Sequence, residues 1–230
     1  MTKPNNLHHV AIQTGDMKKQ IEFFSDVLNM ELLALYWMHG AEGAWHAFMK
    51  LGEGSVAFVF IPENSKIEST VGLTHAGSAA GASAPGTMQH LSLNVATQED
   101  LLKMRDRIRS RGVPVLGPIH HGLCTSIYFA GPENLTLELA TDDHVEHPLN
   151  GDGVWLDPEV VKFAGISEEE LQHFRNPEPY ESPSEPVPQP AYDPSKPHVN
   201  YPLEMYKRLL SMPDEVVTET SSDTTPPNKK

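Results

Sequence analysis

Two stretches of the chain share one order of apolar and polar positions. His9-Val10-Ala11-Ile12-Gln13 and His90-Leu91-Ser92-Leu93-Asn94 each begin with histidine and run on as a short strand, and each reaches a helix-capping residue seven positions later, Asp16 and Thr97. After Asp16, the residues Met17, Ile21, Phe24 and Leu28 recur at helical spacing, and Asn29 can close that helix in a left-handed conformation. After Thr97, Leu101, Met104 and Ile108 do the same, and Gly112 with Pro114 stops the second helix. Thr97 and Asp100 resemble a capping box with Asp in place of the preferred Glu or Gln. Three strand-like segments follow each helix: 31–38, 44–51 and 55–61 in the first half, 115–119, 125–130 and 135–140 in the second. The chain thus repeats strand, helix and three strands with an offset of 81 residues. The expected fold is α+β: two paired βαβββ modules, 6–62 and 88–141, forming a curved mixed sheet. The linker 63–87 holds a Gly- and Ala-rich stretch, 75–86, that offers little to a core.

Alternation along a strand then assigns faces. Val10 and Ile12, Leu91 and Leu93 with Val95, and Leu135, Leu137 and Leu139 are the helix-facing sets. His9, His90 and Glu138 fall on the opposite faces of three separate strands, and they converge if the two sheets join into one curved surface. Two imidazoles and a carboxylate make the facial triad of non-haem Fe(II) oxygenases, whose open positions take a bidentate substrate and dioxygen. A lone histidine at the start of a strand is ordinarily a packed or exposed residue. Two at equivalent places of a repeat, with an isolated acid in an apolar strand, favour the metal reading, since a cation compensates a buried carboxylate.

Composition narrows the partners. With 31 Asp and Glu against 17 Lys and Arg, a net charge of −14 argues against nucleic acid, whose phosphates need clustered cations. One cysteine, Cys124, allows no intramolecular disulfide and fits a reducing, cytoplasmic setting. No apolar run approaches the ~20 residues of a membrane span, and the start lacks a signal-peptide apolar core, so no membrane association is expected. The acidity is uneven: residues 1–141 hold 13 acids and 10 bases, residues 142–230 hold 18 and 7 together with 14 of the 20 prolines. Nine prolines between 177 and 202 prevent continuous helix or central strand. A Pro-rich extension is therefore expected over 142–213. Its short helices would start at Asp157-Pro158, at the Ser167/Glu170 capping box and at Pro202, and it would wrap its own domain or a partner subunit. Residues 214–230 read as a disordered tail.

The segments LHHVAI, MQHLSLNV and GPENLTLELAT resemble the metal-binding strands of the vicinal oxygen chelate superfamily, which includes glyoxalase I, bleomycin-resistance proteins and type I extradiol dioxygenases. The resemblance covers roughly residues 6–141 and implies paired βαβββ modules around a metal, with His9, His90 and Glu138 at ligand positions. Glyoxalase-like members usually draw another ligand from the last strand of the first module, but here the position 48 residues after His9 is Ala57, between apolar neighbours. Three ligands remain, as extradiol enzymes have. The run from Ile119 through Tyr128 and Pro132 to Glu138 also resembles the extradiol pattern of histidine, apolar-Tyr pair, proline turn and metal-binding glutamate. It departs at Gly131 and Asn134, and either His120 or His121 fills the histidine position.

The resemblance therefore implies an Fe(II)-dependent extradiol ring-cleaving dioxygenase, with Mn(II) as the other metal that suits the ligands. The substrates would be a small aromatic diol of catechol type and O2, and a homodimer is expected. Tyr128, with His120 or His121, would bond substrate or oxygen atoms, although Tyr128 also reads as an ordinary strand aromatic. His75, the linker's histidine, is a candidate acid/base and equally a loop histidine facing solvent. His39 and His46 either line the pocket or face solvent, Trp37 and Trp45 form either an aromatic wall or core, and His8 faces the helix side. Two alternatives keep the fold: a divalent-metal lyase, isomerase or transferase, and a metal-free protein that binds a small ligand.

Overall fold

The computed structural model describes residues 3–149 and 152–227. The first module is β1 (His9–Gln13), α1 (Met17–Glu22), β2 (Leu32–Trp37), β3 (Trp45–Leu51) and β4 (Gly54–Phe60). The second is β5 (Leu91–Asn94), α2 (Gln98–Ser110), β6 (Leu116–His120), β7 (Thr125–Ala130) and β8 (Thr136–Thr141). Both expected βαβββ units are present, and every strand edge lies within about two residues of the position the alternation predicts.

Each module forms its own mixed sheet, in the orders β1-β4-β3-β2 and β5-β8-β7-β6, with the first pair of each parallel and the rest antiparallel. The 81-residue offset survives as register: Val10 pairs with Val56 and Ala11 with Ala57, while Leu91 pairs with Leu137 and Ser92 with Glu138. Each module thus contributes a four-stranded mixed sheet of its own, as the paired-module reading expects. They share one core that includes Phe24, Met49, Phe58, Leu93, Leu101, Ile108, Ile127 and Leu137. Truncating a fully buried member such as Ile108 to Ala costs about 2–5 kcal/mol.

Local chemistry sets the helix ends. Asp16 caps α1 by accepting from Lys19 N at 3.1 Å. The helix then widens into a π-helical turn over Phe23–Val27, which brings Phe24, Val27 and Leu28 onto the core, and Asn29 closes it at φ 62°. Thr97 caps α2 through Asp100 N at 3.0 Å and donates its own hydroxyl to Asp100 Oδ2 at 2.7 Å, so Asp100 bonds the hydroxyl rather than completing a capping box.

The modules are joined by polar contacts from these helices. Glu133, at φ 58°, accepts from Gly15 N at 2.7 Å and Gln20 Nε2 at 2.9 Å. Arg107 donates to the carbonyls of Val27 and Asp26, at the exposed-carbonyl end of the first helix. The linker contributes more than its composition promises: Ala76 is fully buried, and its carbonyl accepts from Thr136 Oγ1 at 2.8 Å.

Beyond Thr141 lie α3 (Pro158–Phe163), α4 (Glu168–Arg175), α5 (Leu203–Leu210) and α6 (Asp214–Ser221). Asp157 caps α3, and Ser167 with Glu170 makes a full capping box on α4. None of the four helices buries a residue, and Phe163 is 93% exposed. Where the composition predicts a disordered tail from 214, the described chain is helical over Asp214–Ser221. Pro213 precedes the helix without needing an N–H, and Asp214 and Glu215 in the first turn suit the positive end of its dipole.

Candidate active site

The face of the second sheet away from its helix gathers four of the residues singled out from the sequence. His90 immediately precedes β5, Glu138 sits at the centre of β8, and Tyr128 lies opposite Glu138 in the antiparallel β7–β8 register. His90 Nε2 is 2.9 Å from Glu138 Oε2. Tyr128 donates its hydroxyl proton to Glu138 Oε1 at 3.0 Å and lies 2.9 Å from His121 Nε2. A phenol has one proton, so His121 Nε2–H is the donor in the second bond. The result is a chain of hydrogen bonds, His121 to Tyr128 to Glu138, with His90 on the carboxylate's other oxygen. Gln89 Oε1 bonds His90 Nδ1 and orients the ring.

Glu138 is 6% exposed, and among the described residues no Lys or Arg pairs with it. Burial holds the Tyr128 phenol above its usual range; the Glu138 carboxylate adds to this, against an opposing hydrogen bond from Ser126. The phenol is therefore a proton donor at neutral pH.

The two histidines of the β6–β7 turn go to different partners. His120 is in register with Thr125 and bonds its Oγ1 at 2.8 Å, while His121 reaches Tyr128. The phase depends on a register shift between Leu116 and Ile119, around Gly117-Pro118. A proline fits there because β6 is an edge strand with no neighbour to receive an N–H.

His9 is held elsewhere. It lies on the uncovered face of the first sheet, its ring against Phe48 at 5.8 Å and its Nδ1 2.8 Å from His8 Nδ1. No hydrogen bond or ring contact links it to His90 or Glu138, and among the described residues no three His, Cys, Asp or Glu side chains form a metal-binding group. Among the described residues, His9, His90 and Glu138 are thus not gathered into one such group. His75 also stands apart. Its Nδ1 meets Thr74 Oγ1 at 3.0 Å, and it lines a cavity of about 570 Å³ with Gln13, Gln20, Met88 and Glu133. The linker sets that position by pairing His75 with Val71 and Met88.

Around His9 the first sheet presents an aromatic surface that the sequence reading missed. Tyr36 and Phe48 stack with centroids 6.2 Å apart, and His46 packs on both, at 4.5 and 5.3 Å. The signal was present in alternation: Tyr36 pairs with His46, and Phe48 with Ala57, on His9's face of the sheet. By the same alternation Trp37 and Trp45 fall on the opposite face, where Trp45 packs on Phe60 and Trp37 is 72% exposed, so neither walls this surface. His39 is exposed and lies 3.7 Å from Asp223, and His8 is exposed rather than packed under the helix.

As ligands, His90 and Glu138 suit a divalent cation, being one imidazole and one buried carboxylate side by side. Ala57 occupies in the first module the register position that Glu138 occupies in the second, so β4 offers no carboxylate to match it.

Residues 6–139 match the Glyoxalase/Bleomycin resistance protein/Dioxygenase superfamily. A probable lactoylglutathione lyase of Synechocystis sp. is 28% identical over 136 residues, 58% of this chain and 92% of that protein. Biphenyl-2,3-diol 1,2-dioxygenase 2 of Rhodococcus globerulus is 25% identical over 168 residues, 71% of this chain and 79% of that protein. Among solved structures, a lactoylglutathione lyase from Agrobacterium tumefaciens superposes with a TM-score of 0.43 at 17% identity, covering 61% of this chain and 96% of its own.

Proposed function

Because the chain belongs to the glyoxalase/bleomycin resistance protein/dioxygenase superfamily, we propose that it is a metal-dependent extradiol dioxygenase, cleaving a small catechol-type aromatic with O2. The observation that carries this reading is the chain His121–Tyr128–Glu138–His90 on one sheet face, with alanine where a fourth protein ligand would stand. The dioxygenase relative from Rhodococcus globerulus matches over the larger share of the chain and agrees with it.

His90 and Glu138 of one subunit, with His9 of a second copy, would hold Fe(II), or Mn(II), as the facial set of two imidazoles and one carboxylate. This reading carries a homodimer with it, since among the described residues one chain does not gather the three ligands by itself. Bound iron supplies dioxygen activation and the acidity that lets a diol lose its protons. The protein's part is proton handling and placement. With Glu138 engaged by a cation, the Tyr128 hydroxyl, which otherwise donates to Glu138 Oε1, would be available to a substrate oxygen. His121, exposed at its outer edge, replenishes that proton from solvent. Tyr36 and Phe48, beside His9, offer a flat aromatic face to a ring substrate.

The test is metal analysis of anaerobically purified protein, followed by oxygen uptake with a panel of catechols. Bound iron with stoichiometric oxygen uptake and a yellow ring-opened product supports the reading. Metal without oxygen uptake supports a lyase or isomerase, the activity named for the Synechocystis relative. No bound metal supports a small-ligand binding protein.

A further inference from the structure

Residues beyond the paired modules reach back to the turn that carries His121. The indole of Trp155, in the segment before α3, donates Nε1–H to His147 O at 2.8 Å, which fixes the ring's orientation. Its six-membered edge lies on the Cα of Gly122, so close that a Cβ there would fall 2.6 Å from Cη2 and 3.3 Å from Cζ2. Gly122 stands at φ 83°, the left-handed region that glycine enters without strain. It follows His121 directly, inside a turn closed by the bond from His121 N to Cys124 O at 2.9 Å. Gly122 thus serves two purposes: it supplies the backbone conformation and leaves the space the indole occupies.

The turn needs such a support. His121 is an exposed residue at the end of an edge strand, and among the described residues its side chain hydrogen-bonds only Tyr128. An exposed imidazole on a hairpin tip loses side-chain and backbone entropy when it is held in one geometry, and one neutral hydrogen bond contributes about 0.5–1.5 kcal/mol against that. The indole contact supplies a second restraint from a part of the chain that carries no ligand.

We infer that Trp155 is a positioning residue for the proposed reaction: seated on Gly122, it fixes the turn that holds His121 against Tyr128. This makes the start of the C-terminal extension a working part of the site. The inference rests on the dioxygenase reading only for its kinetic consequence; the restraint on His121 stands apart from it.

The experiment therefore has a readout that needs no turnover. In metal-free, isotopically labelled protein, the imidazole nitrogen and proton resonances of His121 and His90 are compared between the native chain, Trp155→Ala and Trp155→Phe. The expected result is a shifted or broadened His121 signal in Trp155→Ala, an unchanged His90 signal, and recovery of His121 in Trp155→Phe. In iron-loaded protein, Trp155→Ala should keep its metal and lose kcat roughly tenfold with little change in KM, about what one misplaced group costs. An unaltered His121 signal in Trp155→Ala would overturn the inference, as would equal disturbance of His90, which would mark general loosening. If the His121 signal responds but no form of the protein consumes oxygen with any catechol, the positioning role stands and the dioxygenase reading fails.

Discussion

At the scale of single residues, the hydroxyl of Tyr128 decides how Glu138 is held. Phenylalanine at 128 would keep the ring and remove one proton, leaving Glu138 Oε1 without its donor and His121 Nε2 without its acceptor. Tyr128→Phe should cost about 1 kcal/mol of stability, read from urea unfolding. It should retain bound metal while turnover drops, because the phenol is not among the ligands. Loss of metal along with turnover would place Tyr128 in the ligand set instead. His46 makes a second, pH-dependent case. Burial first, and the nearby His9 charge second, hold its imidazole below the ordinary value of 6.5. The folded state then binds fewer protons at His46 than the unfolded one, so its contribution to stability is intact above pH about 6.5 and is lost as the pH falls below that. His46→Phe, flanked by Tyr36 and Phe48, should therefore narrow the gap in Tm between pH 7.5 and pH 5.5. An unchanged gap would mean that His46 is not the titrating group.

Elements were legible wherever a strand alternates or a helix keeps a stripe. Val10 and Ile12 against His9 and Ala11, or Leu135, Leu137 and Leu139 against Glu138, fix faces because a slip of one residue would put the whole apolar set in water. Legibility stopped where the period is broken. The register shift at Gly117-Pro118 left His120 and His121 indistinguishable, because one residue of phase there exchanges the two faces. The π-helical turn at Phe23–Val27 likewise has no pattern of its own, since its wider winding is set by the core it packs on. The placement of the linker residues His75 and Ala76 was not legible for another reason: backbone pairing with Met88, which no composition reports, decides where they go. The caps, by contrast, are local chemistry and were readable. Thr97→Ala removes both bonds that Thr97 makes at the start of α2 and should cost about 1 kcal/mol of unfolding free energy with metal content unchanged. A loss well above 2 kcal/mol would show that Thr97 does more than cap.

For the whole molecule, the repeat made the fold readable, yet it could not say which copy of each module faces which. Pairing the modules of one chain face to face and pairing them with those of a second chain present the same alternation, helices and ligand residues to a reader of the sequence. The difference lies in contacts such as Arg107 to Val27 O and Glu133 to Gly15 N, which tie the modules together through their helices while His9 and Glu138 stay on separate sheets. If the site is completed by a second copy, defects in the two halves must complement each other. His9→Ala and Glu138→Ala homodimers should each lack metal. When they are unfolded together in equal amounts and refolded, half of the dimers are mixed. Each mixed dimer joins the intact His9 of one subunit to the intact His90 and Glu138 of the other at one of its two sites. Metal content and oxygen uptake should then recover to about a quarter of native, since a two-fold interface is used by both copies in the same way. A site contained in one chain gives no recovery, because every subunit would still carry one defective ligand.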